Sequence, residues 1–206
     1  MDTSKDTLLF LHGWGGDENS FAPLLPYFRI KYNCLAPTFS PPHPWTLEDY
    51  ADFVEKFLDQ HSIEHCHIIA HSFGARITAL LVTRNPLRYG KLVLAGAAGL
   101  RMPSLRTKLR LKLRKPSKDY LAMPPEGKQT FKNIVNRDLS PEIANIQNKT
   151  LLIFGRNDKS TPVKMGRRWE KLMSDSKLVI YKNSGHFPYI DQTGRFIRDV
   201  ALFLEG

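Results

Sequence analysis

The sequence predicts an α/β fold: one domain built on a mostly parallel sheet of about six strands, with helices on both faces. Three features predict it. Short, wholly apolar runs alternate with longer stretches whose apolar residues recur at helical spacing. Several of those runs end directly in glycine-bearing loops, where a strand turns toward its crossover helix. The chain of 206 residues is long enough for one substantial core, and its 42% hydrophobic and 24% charged content is that of an ordinary globular domain.

Taken in order, residues 7–11 form the first strand and run into His12-Gly13-Trp14-Gly15-Gly16, a tight loop that presents backbone N–H groups. A short helix is expected over 19–28 in spite of Pro23 and Pro26. Residues 32–36 form the second strand. The loop Ser40-Pro41-Pro42-His43-Pro44-Trp45 follows, too rich in proline for helix or central strand. Thr46 and Asp49 make a capping box for a helix that buries Tyr50, Phe53, Val54, Phe57 and Leu58. The third strand covers 68–70, and its helix runs on to Asn85, stopped by Pro86. A fourth strand, 91–95, closes in Gly96-Ala97-Ala98-Gly99. From 100 to 149 the rhythm breaks into basic, proline-bearing and short helical pieces. It resumes with strands at 150–154 and 177–181 and helices at 163–173 and 193–204. Right-handed crossovers place every strand's C-terminal end, and the loop after it, on one edge of the sheet.

No apolar run approaches the roughly 20 residues of a membrane helix. The polar stretch 1–6 and the short apolar run after it do not make a signal peptide. Cys34 and Cys66 sit in or beside apolar strands and are expected as buried free thiols, with no metal or redox motif. A reducing cytoplasm is the expected location. No metal or organic cofactor is implied.

At Ala70-His71-Ser72-Phe73-Gly74 the chain must turn from strand to helix within about three residues, which sets Ser72 at the apex. A nucleophile there rests on strained backbone, its hydroxyl exposed above a helix N-terminus. Small residues are needed two positions to either side, and Ala70 and Gly74 supply them. Asp158 follows the fifth strand and His186 the sixth. A serine hydroxyl becomes a useful nucleophile when an imidazole takes its proton, and that imidazole needs a carboxylate to fix its tautomer. Singly, these residues read as a loop serine, a turn aspartate before Thr161-Pro162 and a surface histidine. Three such coincidences along one sheet edge, in the order Ser, Asp, His, point to a triad. The loop after the fourth strand holds no acid, so Asp158 is the candidate carboxylate. The backbone N–H groups of Trp14 and Phe73 are the natural pair to hold an oxyanion.

On these motifs the chain resembles the α/β-hydrolase family, in its compact bacterial form. His12-Gly13-Trp14-Gly15 resembles the family's oxyanion loop, 70–74 its nucleophile elbow, and Asp158 and His186 its acid and base. The likeness covers nearly the whole chain, with 100–149 in the place of the family's cap, here reduced. It implies a single domain, 1–206. The departures are Ala70 in place of the usual elbow glycine, the absence of an acidic, glycine-rich signature in 36–42, and the lack of an N-terminal hairpin. They leave the substrate class open.

Trp14, Trp45, Phe73, Leu100, Met102 and Phe187 lie on loops expected to border Ser72. With His12 and Arg76 they make the candidate pocket for a small-molecule acyl substrate, packing being the alternative for each. By the resemblance, Arg76 is placed to hold an anionic substrate, as in the menaquinone-pathway lyases; a surface salt bridge is the alternative. Eight of the cations behind the net charge of +10 fall within 101–118, a stretch without an acid. There Leu105, Leu109 and Leu113 make one helical stripe. This segment reads either as a lid with its charges in water or as a contact for anionic membrane or acidic substrate. No nucleic-acid groove accompanies it. A serine hydrolase acting on a carboxylic ester or related acyl compound is the expected function. A lyase or acyl-transferase with the same triad and a non-catalytic binder are the alternatives; the oligomeric state is not encoded in any motif.

Overall fold

The structure, a computed structural model, describes residues 2, 4–40, 44–101 and 125–206. Six strands form one sheet in the order β2-β1-β3-β4-β5-β6: β1 (Thr7–Leu11), β2 (Asn33–Leu35), β3 (Cys66–His71), β4 (Tyr89–Ala95), β5 (Thr150–Gly155) and β6 (Ser176–Tyr181). Every adjacent pair is parallel. The helices of the described residues are α1 (Leu25–Phe28), α2 (Leu47–Gln60), α3 (Phe73–Arg84), α4 (Pro125–Val135), α5 (Ser140–Ala144), α6 (Val163–Leu172), α7 (Pro188–Asp191) and α8 (Thr193–Glu205).

The strands carry apolar residues on both faces because both faces are covered. Successive side chains point to opposite sides, so Leu9, Leu11, Ile68, Ala70, Leu92, Leu94, Leu152 and Phe154 join one core with α2, α3, α4, α5 and α6. The alternating set Leu8, Phe10, Ile69, Val93, Ala95, Leu151 and Ile153 joins a second core with α1, α7 and α8. This division follows from chain direction. The chain steps from β1 outward to β2 and then returns to run from β3 to β6, so crossovers of one hand put α1 on one face and α2, α3 and α6 on the other. The change of direction lies between β1 and β3. Loops diverge there, and the crevice beyond those strand ends is where sheets of this kind place their ligands.

The main departure from sequence expectation is the stretch 19–28. It is a 3₁₀ turn (Glu18–Phe21) followed by α1. Pro23 removes a donor that a continuous helix would need, and helix resumes only where Pro26 falls in a first turn. Asp17 caps the 3₁₀ turn, accepting from Asn19 N–H. Strand β4 starts at Tyr89 rather than 91, and β2 is shorter than expected. Thr46 and Asp49 form the capping box of α2. Cys34 and Cys66 are free thiols, raised by burial to about 11 and about 12. Among the described residues no helix is long and apolar enough to cross a membrane.

Candidate active site

Strand β3 ends at His71, and α3 begins at Phe73, leaving Ser72 alone to make the turn. Its φ of 48° and ψ of −102° lie where a non-glycine residue is strained. Surrounding bonds hold it there. Ser72 N–H donates to Ala95 O, and its own carbonyl accepts from Ala75 and Ala98 N–H. The start of α3 presses against the end of β1, so a Cβ on Gly74 would stand 2.2 Å from Leu11 O. The glycine is therefore fixed by close approach of backbone.

Ser72, His186 and Asp158 lie in one hydrogen-bonded line. Ser72 Oγ is 3.0 Å from His186 Nε2, and His186 Nδ1 is 2.8 Å from Asp158 Oδ2. The bond to a carboxylate puts the imidazole hydrogen on Nδ1 and leaves the Nε2 lone pair facing the serine hydroxyl. Asp158 Oδ1 accepts from Ser160 and Thr161 N–H. The Thr161 hydroxyl lies 2.6 Å from Oδ2 and 2.9 Å from Gly96 O, with one hydrogen to give. Burial alone would raise this carboxyl, but the bonds from His186 and Thr161 outweigh it and hold the pKa below the ordinary value. Asp158 thus makes the turn bonds a loop aspartate would make and also faces His186.

The two loops that carry these groups are locked together. A Cβ on Gly155 would fall 2.0 Å from Gly185 O, and Asn157 N–H donates to Ser184 O. Asp191, at the end of α7, accepts from Gly185 N–H and the Ser184 hydroxyl.

The remaining predicted site residues divide. Trp14 stacks edge-on against Phe73 at 5.4 Å and against Phe131 of α4 at 5.3 Å. Phe187 is 48% exposed beside the His186 ring. His12 is buried and committed: Nδ1 donates to Gly13 O, and Nε2 accepts from Phe39 N–H, joining the loops after β1 and β2. Trp45 packs on Tyr50 and Phe53, and its backbone N–H donates to the Thr130 hydroxyl. Leu100 is buried in the core. Met102, Leu105, Leu109, Leu113 and the cations from Arg106 to Lys118 lie outside the described residues.

Arg76 departs from the surface salt-bridge expectation. It is 8% exposed, and Nη1 donates to the carbonyls of Ile134 and Arg137. It lies in the first turn of α3, against the chain that returns from α4. Burial lowers its guanidinium to about 10.

Sequence reasoning missed His71 and Thr161. The signal for Thr161 was its place three residues after Asp158, the spacing of a side-chain turn. No local pattern marked His71, because its partner is 115 residues away. Among the described residues no group of three or more His, Cys, Asp or Glu could hold a metal ion.

Comparison with known proteins gives a consistent result. A family model described as alpha/beta hydrolase fold matches residues 6–126 and 117–193. The 2-hydroxy-6-oxononadienedioate/2-hydroxy-6-oxononatrienedioate hydrolase 2 of Pseudomonas putida is 27% identical over 258 aligned residues, covering 100% of this chain and 90% of that protein. The pimeloyl-(acyl-carrier protein) methyl ester esterase of Legionella pneumophila (strain Paris) is 23% identical over 96% of this chain and 95% of its own. Among solved structures, the enol-lactonase of Burkholderia xenovorans aligns at a TM-score of 0.82 and 19% identity, over 98% of this chain and 92% of that one. At that identity the structural likeness speaks for the fold.

Proposed function

The chain belongs to the alpha/beta-hydrolase family, and we propose that it is a serine hydrolase that cleaves a carboxylic ester or related acyl compound at Ser72. The unbroken line Ser72–His186–Asp158 is the observation that carries this. Ser72 Oγ attacks the acyl carbonyl carbon as His186 Nε2 takes its proton. Asp158, held ionised by the bonds from His186, Ser160 and Thr161, keeps the imidazole in the reactive tautomer and stabilises the imidazolium. The carbonyl oxygen becomes an oxyanion, held by Trp14 N–H in the β1 loop and by Phe73 N–H at the start of α3. His186 returns the proton to the leaving alcohol. Water then attacks the acyl-enzyme with His186 again as base, freeing the acid and Ser72.

The names of the relatives support hydrolysis and differ in substrate: a dienedioate for one, a methyl ester on an acyl-carrier protein for another. Aromatic side chains on the loops around the triad, Phe73 next in chain to Ser72, Trp14 against Phe73 and Phe131, and Phe187 against His186, favour an apolar acyl group. Phe131, in the part of the chain that the family resemblance assigns to the cap, contacts Trp14. Turnover of ester, thioester, lactone and amide panels, with nitrophenyl esters from acetate to decanoate, tests this. Turnover lost in Ser72→Ala and rising with acyl length is the expected result. Rates unchanged in Ser72→Ala would refute the proposal; rates flat with length would remove the apolar pocket from it.

A further inference from the structure

The residue immediately before the nucleophile bridges three loops that the reaction must hold in register. His71, at the end of β3, is 2% exposed. Its Nε2 lies 2.8 Å from the backbone carbonyl of His186. A carbonyl only accepts, so Nε2 carries the hydrogen and donates. The ring also packs 4.8 Å from the rings of both His186 and Phe187 and 5.2 Å from Tyr189. On another side it lies against the loop after β1: a Cβ on Gly13 would stand 2.6 Å from His71 Nδ1. One residue therefore ends the strand that leads into Ser72, borders Trp14's neighbour Gly13 and bonds the residue that carries the base.

We propose that His71 is a positioning residue: through its bond to the His186 carbonyl and its packing on Gly13, it sets the distances among nucleophile, base and oxyanion loop. This rests on the serine-hydrolase function proposed above. The chemistry suits the place. A flat ring fits against the bare Gly13 backbone, where a branched side chain would not. A donor is required, because an apolar residue would leave the part-buried carbonyl without its partner. A permanent cation would stand beside His186 and oppose formation of its imidazolium. Burial, then repulsion by His186, lower His71 to about 4, so the donor stays uncharged near neutral pH.

The test compares His71→Phe, which keeps a flat ring but no donor, with His71→Gln, which restores an N–H, both in the full chain. A fluorophosphonate label on wild-type Ser72 first establishes the nucleophile. Misplacing a reacting group by about 1 Å costs ~100-fold, so His71→Phe should lower kcat by ~10–100-fold with KM changed less than about threefold. The far-downfield proton resonance of the His186–Asp158 bond should shift or broaden in His71→Phe. His71→Gln should recover at least about a tenth of wild-type kcat, together with that resonance. A folded His71→Phe with wild-type kcat and resonance would overturn the proposal. So would a folded His71→Gln that has lost both, which also decides the matter if His71→Phe does not fold. Should the wild type neither label nor turn over esters, the hydrolase function fails; the resonance still shows whether His71 holds His186 to Asp158.

Discussion

Two regions meet at Trp14 and are held in different ways. On one side is the rim of β3, β5 and β6, where Ser72, Asp158 and His186 sit. Backbone groups do most of the fixing there: Ser72 by Ala95, Ala75 and Ala98, Asp158 by Ser160 and Thr161 N–H, and the two later loops by the contact of Gly155 with Gly185. On the other side is the chain from α4 to α5. Side chains hold it: the Arg76 guanidinium on two carbonyls, Arg137 between Glu48 and Glu142, and Ile134, Leu139, Ile143 and Ile146 in the core. Backbone constraint fixes reacting atoms to a fraction of an ångström, as the chemistry needs. Side-chain anchoring leaves the chain from α4 to α5, the proposed substrate-facing wall, adjustable without disturbing that geometry.

The comparison is sharpest in the reaction itself. Asp158→Asn should leave the fold intact and lower kcat ~1,000–10,000-fold, because the amide favours the wrong imidazole tautomer. Steady-state kinetics on any ester that the panel identifies would measure it; a loss under tenfold would mean that Asp158 only shapes its loop. Next in size, Gly74→Ala drives a Cβ into Leu11 O and should cost ~3 kcal/mol or more in urea unfolding. A near-neutral result would mean that the rim is less rigid than its contacts imply.

A pH effect of similar size belongs to the rim. The folded His71 pKa of about 4 lies below the unfolded value, so between the two the unfolded chain binds the extra proton. Stability is then complete above about pH 6.5 and falls by roughly 3 kcal/mol on approach to pH 4. His12 and His67, both lowered chiefly by burial, add to the same slope. Asp158, also lowered, adds its own loss further into acid. Urea midpoints across pH 4–8 read the sum, and His71→Gln should flatten it. At the small end is the other region. Arg76→Met leaves two carbonyls short of a donor and should cost ~1–3 kcal/mol. KM should change more than kcat, because the wall moves and the reacting groups do not. Equal loss in both would show that the two regions are mechanically one.

The same contrast explains what the sequence made legible. Ser72, Asp158 and His186 were readable because the demands on them are local: a small residue beside a sharp turn, a short loop after an apolar strand, and a fixed order along one edge. The two-faced sheet was readable because runs such as Leu8–Leu11 and Leu151–Phe154 are apolar without a break and buried on both faces. Arg76 was not, since nothing in its neighbourhood announces that its acceptors are 58 and 61 residues away. Trp45 and Leu100 read equally as pocket or packing for the same reason: an aromatic or leucine near a loop looks alike whether it faces a substrate or, as Trp45 does, Tyr50 and Phe53. His71 escaped notice within the most informative five residues of the chain, because its role depends on a contact across the sheet edge.

The most direct trial of the account is intact-protein and peptide mass spectrometry after brief exposure to a fluorophosphonate, wild type against Ser72→Ala and Asp158→Asn. One adduct is expected, on Ser72, formed quickly by the wild type, absent in Ser72→Ala and slowed ~1,000-fold in Asp158→Asn. A folded wild type that stays unlabelled at Ser72, or labels equally fast without Asp158, would contradict it.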